Sequence, residues 1–202
     1  MTKIKMCGLS RPCDIADVNA IRPEYIGFVF YPKSKRNVTP EQAAQLKKRL
    51  SPAIQAVGVF VDAAPEAVSA LLRQGVIDMA QLHGHEDEAY LASLRQLTDK
   101  PLLQAFRIAE ADDVTRAMQS SADMVLLDAG MGSGEGFDWT LVRKIDRPYF
   151  LAGGLDADNV TAAIRQLRPY AVDVSSGIET DGQKDKEKMA AFATAVRKEA
   201  LL

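Results

Sequence analysis

The sequence predicts an α/β fold, a single (β/α)8 TIM barrel. Eight short β-branched apolar runs recur along the chain, helically patterned segments separate them, and polar residues and glycines gather just after the runs. Runs this continuous suit strands buried on both faces, as parallel strands are when helices cover the sheet. Polar clusters at strand carboxyl ends fall where the catalytic face of such a barrel lies. A doubly wound open sheet uses the same alternation and is the competing architecture on periodicity alone.

In chain order the strand candidates are Lys3 to Cys7, Tyr25 to Phe30, Ile54 to Phe60, Asp78 to Leu82, Leu102 to Phe106, Met124 to Leu127, Tyr149 to Leu151 and Ala171 to Val174. Between them, Pro40 to Leu50 and Ala157 to Leu167 carry helical spacing. Thr39 before Pro40 reads as an N-cap followed by a proline at N1, and Pro65-Glu66-Ala67 opens another helix. A last helix starts near Lys184 or Asp185 and brings Met189, Phe192 and Val196 onto one apolar stripe. Eight units in 202 residues leave about 25 residues each, so insertions must be small. No compositional break divides the chain, and residues 1–202 read as one catalytic domain.

The apolar fraction of 47% and charged fraction of 26% are ordinary globular values and exclude disordered and fibrous classes. A formal charge of −2 gives no broad basic field for nucleic acid. The apolar runs are far shorter than a membrane span, and Met1 to Ser10 has no signal-like core, so the expectation is a cytoplasmic protein without a membrane partner. Cys7 and Cys13 are expected as free thiols, with Cys13 packed in the first helix. The two histidines, His83 and His85, lack the ligand count of a metal site, and no metal is assigned.

The residues that follow the strands carry the chemistry. An isolated cysteine is more often an inert packing residue. At the end of the first strand, however, Cys7 can face the barrel mouth, where positive charge would favour a proton-accepting thiolate. Asp128 ends the sixth run and places a carboxyl group at the same mouth; its bland alternative is a solvated loop carboxylate. Together they supply the acid and base that an isomerase moving protons needs.

Gly132-Ser133-Gly134, Gly153-Gly154 and Ser175-Ser176-Gly177 follow the last three strands. Each alone reads as a tight turn, but together they suggest a phosphate cradle of the kind recurrent after strands seven and eight. Glu135 stands where a dinucleotide fingerprint starting at Gly130 needs its third glycine, which favours a small phosphorylated metabolite over a nicotinamide cofactor. Arg36, in the cationic stretch Tyr31 to Arg36, can bind a substrate carboxylate bidentately if it points into the mouth.

These segments, taken together, resemble the phosphoribosylanthranilate isomerase family along nearly the whole chain. The match runs through Lys5-Met-Cys-Gly-Leu9, Gly27-Phe-Val-Phe-Tyr-Pro-Lys-Ser-Lys-Arg36, Val57-Gly-Val-Phe60 and Gln81-Leu-His-Gly84. It continues through Leu126-Leu-Asp128, Gly132-Ser-Gly134, Phe137-Asp-Trp139, Ala152-Gly-Gly-Leu155 and Asp173-Val-Ser-Ser-Gly177. The resemblance selects the barrel over the open sheet. It implies Cys7 as general base, Asp128 as general acid and Arg36 as ligand of an anthranilate carboxylate. It also implies phosphate contacts at Gly132, Ser133, Gly134, Gly154, Ser176 and Gly177, with His83 and Asp173 lining or supporting the site. Two departures stand out: Met6 replaces the family's common isoleucine, and Glu135-Gly136 replaces a basic and hydroxyl-bearing pair.

The implied reaction is an Amadori rearrangement of N-(5-phosphoribosyl)anthranilate in tryptophan biosynthesis, without a cofactor. A monomer or homodimer is expected. A related or dual-substrate phosphosugar isomerase and a noncatalytic phosphate-binding barrel are the alternatives. Ordinary side-chain pKa values oppose the two catalytic roles, so the site must favour the Cys7 thiolate through Arg36 or another positive field.

Overall fold

The computed structural model describes residues 1–128, 139–142 and 145–199. Parallel strands β1 (Lys3–Cys7), β2 (Tyr25–Phe30), β3 (Gln55–Phe60), β4 (Met79–Leu82), β5 (Leu102–Arg107), β6 (Met124–Asp128), β7 (Tyr149–Ala152) and β8 (Ala171–Val174) pair in chain order, and β8 returns to β1. The sheet therefore closes on itself, which removes the open-sheet alternative and leaves no unpaired barrel edge. Helices α1 (Pro12–Ile21), α2 (Pro40–Lys47), α3 (Pro65–Arg73), α4 (Glu88–Arg95), α5 (Ala111–Gln119), α6 (Trp139–Val142), α7 (Val160–Leu167) and α8 (Lys186–Lys198) fall between or after the strands. A short 3-10 turn (Ser176–Ile178) and a hairpin of β9 (Glu179–Thr180) and β10 (Gln183–Lys184) lie between β8 and α8.

Local chemistry sets the helix ends. Thr39 accepts from the Gln42 amide at 3.2 Å while the Gln42 side chain accepts from the Thr39 amide at 2.9 Å, a reciprocal cap that starts α2. That helix stops at Lys47, short of Leu50, because Arg49 and Leu50 bond back only three residues. α7 begins at Val160, later than Ala157, because the Asp156 carboxylate holds the Asp158 and Asn159 amides at 2.9 Å in a turn. Asp185 caps α8 by accepting from the Glu187 and Lys188 amides, and Met189, Phe192 and Val196 form the expected buried stripe. Cys13 departs from expectation: it sits on the outward side of α1 and is exposed, and both cysteines are free thiols.

Strand alternation divides the apolar side chains into two sets. Ile4, Met6, Ile26 and Phe28 point outward beneath the helices, whereas Tyr25, Val57, Met79, Leu103, Leu126 and Phe150 fill the barrel interior. Moving two residues along a strand keeps the face and changes the chemistry. Met79 gives way to Gln81, Leu126 to Asp128 and Ala171 to Asp173, so the interior turns polar toward the carboxyl ends. No helix among the described residues is long and apolar enough to cross a membrane.

Candidate active site

At the carboxyl ends of the strands, Cys7, Arg36, His83, Asp128, Asp173, Gly154 and Ser176 line one cavity of about 410 Å³. The sequence-predicted acid, base and carboxylate ligand are thus brought to one place. Gly177 lies in the adjoining 3-10 turn, where an added Cβ would approach the Leu155 carbonyl oxygen to 2.0 Å. Its missing side chain lets the loops after β7 and β8 touch backbone to backbone. The expected phosphate contacts Gly132, Ser133 and Gly134 lie outside the described residues.

Cys7 ends β1 opposite Gly27 of β2. A Cβ on Gly27 would meet the Cys7 sulfur at 2.6 Å, so this glycine makes the space that the thiol occupies. Gly8 plays the same part for Arg36, whose Cδ would lie 2.4 Å from an added Cβ. The two glycines within the sequence signatures therefore shape the space that Cys7 and Arg36 occupy.

Beneath Cys7, Lys5 is fully buried, and its Nζ donates to Asp173 Oδ1 at 2.9 Å across the β1–β8 register. Lys5 also sets its positive charge against Cys7. Burial pushes the Cys7 thiol up from its ordinary value; Lys5, and more distantly Lys184, oppose that push, while the Asp173 charge adds to it. Burial pushes Asp173 up as well, against the pull of Lys5. Burial would lower Lys5, but its two acidic neighbours hold it up and protonated. One ammonium thus serves two acids, and the cation that acts most strongly on Cys7 is Lys5, a positive field other than Arg36 of the kind the sequence reading allowed.

The Arg36 guanidinium is already engaged. Its Nε and Nη2 donate to Glu179 at 2.6 and 2.7 Å in a bidentate fork, which leaves Nη1 outside the fork on a side chain that lines the cavity. Lys184 Nζ also donates to Glu179 Oε1 at 2.6 Å and to the Ser175 carbonyl at 2.9 Å. Although burial alone would raise it, Arg36 and Lys184 hold the Glu179 carboxyl down at about 2. Arg36 thus reaches the mouth as expected, but as part of a charge cluster built on the β9–β10 hairpin.

On the opposite wall, His83 Nε2 lies 3.8 Å from Asp128 Oδ2, and His83 Nδ1 lies 2.8 Å from Gln81 Nε2. Asp173 is close enough to feel the charges of both Asp128 and His83. The cavity therefore juxtaposes a thiol, a carboxyl group, an imidazole and a guanidinium, with glycine-edged loops at its rim. That set can exchange protons with a bound molecule and hold anionic groups at its ends.

Sequence reading missed Lys5, Gln81, Glu179 and Lys184. The signal for the first two was present: each is two residues before a candidate site residue in a strand and must share its inward face. Glu179 and Lys184 carried no comparable signal, because their positions depend on how the hairpin folds back over the mouth.

A family model described as N-(5′-phosphoribosyl)anthranilate (PRA) isomerase matches residues 4–195. A curated N-(5′-phosphoribosyl)anthranilate isomerase of Dechloromonas aromatica is 44% identical over 98% of this chain and 97% of its own length. The crystal structure of phosphoribosyl anthranilate isomerase from Thermotoga maritima superposes with a TM-score of 0.89 at 34% identity, covering 98% of this chain and 100% of that one. A crystal structure of phosphoribosyl anthranilate isomerase in complex with reduced 1-(o-carboxyphenylamino)-1-deoxyribulose 5-phosphate gives a TM-score of 0.88 at 33% identity, covering 98% and 100%.

Proposed function

The chain belongs to the N-(5′-phosphoribosyl)anthranilate isomerase family, and from that premise we propose that Cys7 and Asp128 divide the proton transfers of its reaction between them. The reaction is the Amadori rearrangement of N-(5′-phosphoribosyl)anthranilate to 1-(2-carboxyphenylamino)-1-deoxyribulose 5-phosphate, a step of tryptophan biosynthesis. Substrate and product are isomers, so the work is proton movement and positioning.

Asp128 gives its proton to the ribose ring oxygen; the C1′–O bond breaks as the anilino nitrogen lone pair forms the C=N bond of a Schiff base. The Cys7 thiolate then takes the C2′ proton, the electron pair moves to the nitrogen, and an enolamine results. Protonation at C1′ and loss of the 2′-hydroxyl proton give the ketone. Lys5 opposes the cost of forming the thiolate in a buried site. Nη1 of Arg36 receives the anthranilate carboxylate, while Gly154, Ser176 and Gly177, joined by Gly132, Ser133 and Gly134, hold the phosphate.

The observation that carries this reading is that Cys7 on β1 and Asp128 on β6, three strands apart around the closed barrel, line the same cavity as Arg36. Fluorescence of freshly formed phosphoribosylanthranilate provides the assay. Cys7→Ser and Asp128→Asn should each lose turnover by about 10²-fold or more while the fold is kept. Wild-type turnover in either variant removes that residue from its role.

A further inference from the structure

Gln81 is buried to 1% exposure on the inward face of β4, two residues before His83. Its Nε2 contacts His83 Nδ1 at 2.8 Å, and its Oε1 is buried without a hydrogen-bond partner among the described residues. Reversing the amide would put two N–H groups where that oxygen now sits. Orphaned buried donors are rarer and costlier than an under-satisfied carbonyl, so the nitrogen faces the ring. Gln81 therefore donates, Nδ1 accepts, and the ring proton of the neutral imidazole resides on Nε2. That nitrogen is the one 3.8 Å from Asp128 Oδ2.

Resting on the assignment of Asp128 as the acid, we propose that Gln81 is a positioning residue for ring opening: it fixes the His83 tautomer so that an N–H meets the carboxylate left when Asp128 gives up its proton. Asp173 lies close enough to feel the charge of Asp128. A donor aimed at a carboxylate formed there steadies it further, and a preorganised one costs no reorganisation during the reaction. The 3.8 Å gap is too long for a hydrogen bond, and a shift of under about 1 Å, of the kind catalytic contacts make when substrate arrives, completes it. The tautomer matters because a bare Nε2 lone pair would face the new carboxylate with repulsion.

Long-range proton–nitrogen NMR reads the tautomer of each histidine, and the chain has only two. His85, whose side chain is 95% exposed, is identified by its loss in His85→Asn. The wild-type protein should show His83 with its proton on Nε2. Gln81→Met, close in length and without a donor, should give mixed tautomers and a kcat about tenfold lower, with KM within about twofold of the wild-type value. Gln81→Glu, an acceptor, should move the proton to Nδ1. A wild-type His83 protonated on Nδ1 overturns the proposal without need of any variant, as does a Gln81→Met protein whose tautomer changes while kcat does not. Failure of the Asp128 assignment is seen separately, as full turnover in Asp128→Asn with the wild-type tautomer intact.

Discussion

Replacing Lys5 by methionine keeps a long side chain in the barrel and removes the only charge it carries. Two effects follow from the 2.9 Å contact to Asp173 and the charge that Lys5 sets against Cys7. Removing one partner of a buried ion pair costs about 3–5 kcal/mol when the other charge is stranded. Burial already pushes Asp173 up, so it takes a proton instead, and the loss falls near the lower end, about 3 kcal/mol. For a domain of this size that lowers Tm by roughly 6–12 °C.

The second effect concerns the base. At about 4 Å and an effective dielectric of about 20, a unit cation favours a thiolate by roughly 4 kcal/mol, partly offset here because a neutral Asp173 no longer repels it. Iodoacetamide labelling of Cys7 near pH 8 should therefore slow by at least about tenfold in Lys5→Met. Exposed Cys13 serves as the internal standard in the same digest. An unchanged or increased ratio of Cys7 to Cys13 labelling, in a variant that remains folded, would refute the claim that Lys5 sustains the thiolate.

Burial pushes the thiol up from 9.0, so kcat/KM should keep rising as pH increases through the ordinary thiol range; a plateau well below it would show that Cys7 ionises more easily than its surroundings allow. Glu179 is held down at about 2 from 4.5, so its contribution is present above 4.5 and lost as pH falls toward 2. Glu179→Gln should therefore be less stable by roughly 1–3 kcal/mol at neutral pH, discounted because Arg36 is one-third exposed, and urea midpoints of the two proteins should converge in acid. Gly27→Ala drives a Cβ against the Cys7 sulfur at 2.6 Å, so turnover should drop by about 10²-fold while circular dichroism stays native; normal turnover would mean the thiol position is not constrained by this strand.

The barrel was legible because its signal is repetitive. Eight apolar runs fell within one residue of the observed strand limits, and capping chemistry at Thr39 and Pro65 marked helix starts directly. Strand ends such as Cys7 and Asp128 were legible for the same reason, since a barrel places them all at one mouth. What escaped was pairing at a distance. Lys5 and Asp173 are 168 residues apart in sequence and meet only because β8 closes on β1. Arg36 and Glu179 are 143 residues apart and meet through a two-residue-stranded hairpin that has no periodic signature. The charge environment of Cys7 was thus beyond a sequence reading, although its place at the barrel mouth was not. Cys13 failed for a local reason: α1 begins with Pro12, and the first turn turns that side chain outward while Asp14 and Ile15 face inward.

In the proposed reaction a thiol and a carboxyl group exchange protons with one sugar from two walls of the same cavity. A crystal structure with the reduced product analogue bound measures this directly. The Cys7 sulfur should lie about 3–3.5 Å from C2′ and an Asp128 oxygen at hydrogen-bond distance from the former ring oxygen, with the phosphate at Gly154 and Ser176. A bound analogue whose C2′ faces away from the sulfur, or whose former ring oxygen meets another group while Asp128 faces solvent, would contradict it.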